Sequence, residues 1–335
     1  KQWFRRFITV RDDEGAERCI VTALRAGAGP QEMADILFSA ATDFRYIDVG
    51  HPLDFTNKAF EALDIVGWAQ AEQVLTSLVP GYAAARRMEE SNAWRNPIDL
   101  IVLLREAFSQ IPDALTAGAS HRGGWQGRAA LVPVLLEDDP QASISALLAA
   151  LTAGATEVEL ASTVAYAAAL RVARFHTSNE FGDWDTALHT FTFANAVHQG
   201  LRRLDGYSAP DGYLLLLRGV FDAAMSIYLD RFLNIPAARL PQSVARNGST
   251  PSLPALEGLL NQQQQVNQAG SAVGDYLFRG GDAVELRAEL AGLLLREDRD
   301  FHTIQSVEAA FRQHDLLLAG GAPADEVVYV LVAAA

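Results

Sequence analysis

The sequence predicts an all-α fold, a multi-helix bundle, and three observations carry that expectation. Ala, Leu, Glu, Gln and Arg dominate the 335 residues. Apolar positions recur at three- and four-residue intervals, and the period-two alternation of a half-buried strand is scarce. Half the residues are apolar and 20% are charged, enough material for a packed core and too apolar for a disordered chain.

The elements follow in order. In 31–41, Met33, Ala34, Ile36, Leu37 and Ala40 fall on one helical face. The same spacing predicts helices over 55–68, 72–90, 97–108, 144–151, 157–174, 185–202, 214–233, 254–269, 283–296 and 305–318, and an apolar helix from Glu326 to Ala335. Gly, Pro and Asn cluster at 27–30, 92–97, 118–127, 205–212, 234–241 and 247–254, where the helices should break. The glutamines of 262–265 read as a solvated helix face. The expectation is one all-α domain over 1–335, with its main loop break near 241–254.

Charge and cysteine content exclude several functions. With 27 Lys and Arg against 41 Asp and Glu, the net charge is −14, so nucleic acid and anionic membrane are not expected partners. The single cysteine, Cys19, rules out a disulfide framework, a CxxC pair and a thiolate-built metal site, and makes a cytoplasmic setting the default. No apolar run approaches the roughly 20 residues of a bilayer span, and the first ten residues lack the apolar stretch of a secretory signal. The chain does not start with Met and reads as a trimmed chain or a piece of a longer polypeptide. No phosphate loop, dinucleotide fingerprint, G-x-S-x-G elbow or H-E-x-x-H pair occurs.

Internal similarity is the strongest pattern. Gly27, Gly154 and Gly280 each precede a helix with an early glutamate, and His51, His176 and His302 follow at 24, 22 and 22 residues. His51 and His302 both begin H-x7-A-F-x3-D, ending at Asp64 and Asp315. Gly321 opens a fourth copy that stops before its histidine. The repeats are expected over about 20–110, 145–240 and 275–335, with equivalent helices packed around a central site or strung along a superhelix.

Of seven histidines, three hold the repeat-equivalent place, and His189 stands beside Asp183-Trp184-Asp185, 13 residues after His176. Such histidines are either hydrogen-bonded core residues or ligands brought together in a bundle interior. The second reading makes His51, His176, His189 and His302 metal ligands. Asp54, Asp183, Asp185 or Glu308 would then orient them through the second ring nitrogen. Without a cysteine ligand, Fe(II) that activates oxygen is favoured over structural zinc, with zinc or manganese as alternatives.

Lys58 lies two turns beyond His51 on the same face. It is either a surface lysine whose stem covers apolar neighbours or a catalytic interior lysine, neutral or carboxylated, reaching the metal. Phe55 and Trp184 are the expected pocket walls. The glycine-rich stretch from His121 to Trp125 reads as an exposed turn, His198 and His314 as packing residues, and Arg86-Arg87 with Glu89-Glu90 as an ion-paired helix surface.

At Gly50-His51-Pro52-Leu53, Arg174-Phe175-His176 and Phe301-His302 the chain resembles the questin oxidase-like family, all-helical proteins some of which open aromatic polyketide rings oxidatively. The resemblance implies a mononuclear non-haem iron held by His51, His176, His189 and His302, with Lys58 matching a lysine that is carboxylated in some members. In the family that lysine is expected after the last histidine, whereas Lys58 follows the first. The stretch from His51 to Asp64 also resembles helical segments attached to Rieske-type iron–sulfur proteins. The expected activity is a metal-dependent oxygenase or oxidase taking an apolar or aromatic small molecule and O2, with a redox protein as a further partner. The alternative is a non-catalytic helical-repeat module that docks a redox or biosynthetic partner.

Overall fold

The computed structural model describes residues 1–180, 182–207, 212–242, 253–262, 265–297 and 299–335. Among them all regular structure is helical, with no strand, as composition and periodicity predict. Most of the 241–254 loop break, the middle of the 205–212 break and two of the four glutamines in 262–265 lie outside the described residues.

The chain divides into two compact units, Lys1–Val164 with Phe193–Leu229, and Ala165–Thr192 with Asp230–Ala335. The first unit contains α1 (Gln2–Thr9), α2 (Asp13–Arg25), α3 (Pro30–Ala41), α4 (His51–Val66), α5 (Ala71–Thr76), α6 (Val79–Ala84), α7 (Leu100–Gly118), α8 (Arg128–Leu136) and α9 (Pro140–Thr152). It also takes in part of α10 (Glu157–Ala173), part of α11 (Asp183–Arg203) and α12 (Gly212–Leu229). The second unit holds the remainder of α10 and α11, then α13 (Pro254–Leu260), α14 (Val266–Phe278), α15 (Ala283–Arg296), α16 (Phe301–Ala319) and α17 (Ala324–Val332).

Aspartate caps explain several helix starts. Asp12, Asp99, Asp139, Asp282 and Asp300 each precede a helix and accept from an N–H of its first turn. In the first unit α1 packs on α2, α7 on α9 and α3 on α12, burying Phe4, Ile8, Ile20, Leu37, Leu104 and Phe221 almost completely. The second unit has its own core, in which Val273, Leu286, Leu290 and Leu331 pack together.

The helix expected over 72–90 is two short ones, α5 and α6. Pro80 has no N–H and belongs in a helix's first turn, so it starts α6 instead of continuing α5. Arg86, Arg87, Glu89 and Glu90 therefore lie outside an α-helix. Arg86 pairs with Asp48 at 3.0 Å, Arg87 stacks on Phe44 at 3.9 Å, and Glu89 accepts from the Arg45 N–H. The helix expected over 254–269 is likewise two, α13 and α14. α1, α2 and α8 have no counterpart among the predicted helices.

Gly27, Gly154, Gly280 and Gly321 share a local role. Each stands just beyond a helix's C-cap residue with φ between 68° and 93°, the left-handed stop that a Cβ would strain. This shared helix stop accounts for the recurring glycine without requiring stacked, equivalent units.

Candidate metal centre

The second unit ties the start of α11 down before any functional group is considered. Arg171 Nη1 donates to Asn234 Oδ1 at 2.9 Å, and Asn234 Nδ2 returns a bond to the Arg171 carbonyl at 3.0 Å. Asn179 Nδ2 donates to the carbonyls of His176 and Leu233, and the Ala238 N–H to that of Arg174. Thr190 Oγ1 donates to Asp230 Oδ2 at 2.5 Å. Asp230 is 3% exposed, and burial pushes its carboxyl up to about 7, against the lowering pull of Thr190 and Arg171.

On this frame His189 and His302 meet, with ring centroids 4.6 Å apart and planes at 64°. Their hydrogen bonds fix which nitrogen carries the proton. His302 follows the cap of α16, where Asp300 Oδ1 accepts from the Thr303 N–H and Oδ2 lies 3.2 Å from His302 Nδ1. That contact holds the Asp300 carboxyl below its usual range, so it is an ionised acceptor and Nδ1 must donate. His189 Nδ1 sits against the Asp185 carbonyl, which can only accept. In both rings the ligating lone pair is consequently on Nε2, the arrangement by which an outer oxygen orients a metal-binding imidazole.

His51, in the first unit, opens α4. Tyr46, Asp48, Val49 and Gly50 all have φ between 41° and 98°, and Gly50 forms the left-handed cap before His51. Left-handed non-glycine residues typically cost on the order of 1–3 kcal/mol each and recur at functional sites. The strained turn aims Asp48 both ways, Oδ1 at Arg86 and Oδ2 at His51 Nδ1, 3.8 Å away. His51 thus turns its Nδ1 edge toward an acidic oxygen, at a distance too long for a hydrogen bond.

Within the second unit, Asp185, Asp300 and His302 form a group that could hold a metal ion, each offering a ligand atom within 4.8 Å of the others, and His189 lies beside His302. The sequence expectation of a metal group that includes histidine is met to that extent, and the identity of the ion is left open.

His176, also in the second unit, does not belong to that group. Its Nδ1 receives the Ser178 N–H at 3.1 Å and faces Ser178 Oγ at 2.8 Å, so the neutral ring carries its proton on Nε2, the reverse of His189 and His302. Lys58 pairs with Glu61 at 3.0 Å on the same helix. Phe55 lies against His51 with ring centroids 5.7 Å apart. Trp184 stacks on Phe175 at 4.0 Å and lines a cleft of about 640 Å³ with Leu259, Val266 and Gln265. Of the expected orienting carboxylates, Asp185 meets His189 through its backbone carbonyl and not its carboxylate, Asp183 bonds the Glu180 N–H and Glu308 pairs with Arg312.

Asp48 and Asp300 were not anticipated. Their signal was available as Asp-x-x-His at 48–51 and Asp-x-His at 300–302, each placing an acceptor within one turn of the ring. No helix among the described residues is long and apolar enough to cross a membrane. No family model, curated protein or solved structure matches the chain.

Proposed function

We propose that the protein is a metal-dependent oxidoreductase of the non-haem iron type, in which His189 and His302 hold the ion, His51 is the further ligand that the sequence pattern suggests, and an apolar or aromatic small molecule is oxidised with O2. The observation that supports this most is the common polarity of His189 and His302, each with Nδ1 turned toward an oxygen a few residues upstream and Nε2 left to ligate. The resemblance to the questin oxidase-like family, carried by the same histidines, agrees with it. A bound Fe(II) would supply O2 activation, while zinc or manganese in the same shell would point to Lewis-acid chemistry instead.

The chain's own contribution is placement. Asp300 and the Asp185 carbonyl hold the Nδ1 edges of the rings and aim Nε2, and Phe55 and Trp184 supply apolar surface for substrate and against water. The Lys58–Glu61 pair favours the ammonium form of Lys58, a positioning role over ligation by a carbamate. The reading includes a cytoplasmic setting and a redox protein that supplies electrons.

Metal analysis of protein purified without chelator is the test, comparing wild type with His302→Ala, His189→Ala and His176→Ala. Wild type and His176→Ala should carry near-stoichiometric metal, and the other two should lose it. Less than about a tenth of an equivalent in wild type would overturn the reading and leave the non-catalytic docking module, because a built site binds tightly.

A further inference from the structure

A second cleft lies in the first unit, among residues that take no part in the metal centre. About 260 Å³ in volume, it is walled by Phe108, Ile111, Pro112 and Leu214, with Arg5 and Arg218 as its charged groups. Its charges are unevenly matched. Arg5 grips Asp43 through two bonds of 2.6 and 2.5 Å, and Arg45 grips the buried Asp222 through bonds of 2.8 and 3.0 Å. Arg218 stands over the Phe108 ring at 5.5 Å and makes no hydrogen bond or ion pair among the described residues.

Burial and the neighbouring Arg45 and Arg5 charges disfavour the Arg218 cation, and Asp43 and Asp222, which act on it in the other direction, are already engaged. A half-buried guanidinium with no carboxylate of its own is costly to keep in an acidic chain, and an arriving anion would relieve that cost. Pro112 adds a second polar element, because it has no N–H with which to satisfy the Phe108 carbonyl one turn back in α7.

We propose that this cleft binds a small amphipathic carboxylate, whose acid group pairs with Arg218 and whose apolar body lies on Phe108, Ile111 and Leu214. A guanidinium fork matches a carboxylate in plane, and the ring beneath Arg218 keeps the fork in place. The volume lies just below the roughly 300–1,000 Å³ of ordinary ligand pockets, so the occupant is a medium-chain or single-ring acid and not a nucleotide-sized cofactor.

Calorimetric titration with octanoate tests this, with octan-1-ol, inorganic phosphate and octyl phosphate as the other arms. Octanoate should saturate one site with Kd below about 1 mM, and octan-1-ol and inorganic phosphate, each lacking one half of the ligand, should bind at least about tenfold more weakly. Arg218→Gln should weaken octanoate by about tenfold or more. If that variant fails to fold by circular dichroism, Leu214→Trp, which fills the cleft from its half-exposed wall, should abolish the binding instead. Absence of saturation in wild type, or unchanged affinity in the folded variant, would overturn the site. Tighter binding of octyl phosphate than of octanoate would overturn the carboxylate in favour of a phosphate ester.

Discussion

Asp300 caps α16 with one carboxylate oxygen and holds the Nδ1–H of His302 with the other. One side chain thus sets both where the helix begins and which ring nitrogen of its second residue is available to an ion. Asp300→Asn keeps an acceptor for the cap and weakens the grip on the ring. Metal affinity, read by competition with a chromophoric chelator, should fall about 10–100-fold, with helix content unchanged by circular dichroism.

The turn before α4 yields a prediction about stability. A Cβ on Gly50 would come within 2.8 Å of Phe193 Cβ, at a φ of +98° that L-residues avoid. Gly50→Ala should destabilise by at least about 2 kcal/mol in urea unfolding. Val49→Gly, one residue earlier at φ 52°, should cost far less or even stabilise, since glycine tolerates that conformation.

Asp230 predicts a pH dependence. Its folded carboxyl titrates near 7, above the ordinary unfolded value near 3.9, so the fold binds the proton more tightly than the unfolded chain does. The stabilisation from this group is complete below about pH 4 and is lost as the pH rises through about 7. Asp230→Asn should flatten that part of the profile, removing a slope worth no more than about 4 kcal/mol over the interval. Chemical denaturation at pH 4.5, 6 and 8 checks it.

The buried Arg45–Asp222 pair makes a double-variant prediction. Arg45 is 7% exposed and Asp222 is 1% exposed. Arg45→Met leaves a carboxylate stranded and should cost about 3–5 kcal/mol, whereas Arg45→Met with Asp222→Leu should recover most of that loss in the same unfolding experiment.

How much of this was legible in the sequence differs by level. Helix type was legible wherever apolar period and a capping residue coincided. The predicted 283–296 helix matches α15 because Asp282 caps it and Leu286 and Leu290 mark its buried face. Boundaries failed where one proline outweighed propensity, as Pro80 does in separating α5 from α6. At the candidate centre the residue types were legible and their ring polarity was not. His176 and His302 look alike in sequence, each near the start of a segment in a repeated pattern. Only the hydrogen bonds separate them, a backbone N–H into Nδ1 of the first and a carboxylate against Nδ1 of the second. The Arg218 cleft gave no sequence signal, because a guanidinium left without a carboxylate emerges only once α7 and α12 are placed.

The left-handed segment ahead of α4 has an evolutionary consequence. His51 is the helix's first residue, so any insertion or deletion between Tyr46 and Gly50 that α4 absorbed would turn its imidazole by about 100° per residue. Loops elsewhere in the chain can drift in length, but this one is held to a fixed count, and lineages that keep the histidine should keep the spacing from Arg45 to His51 as well.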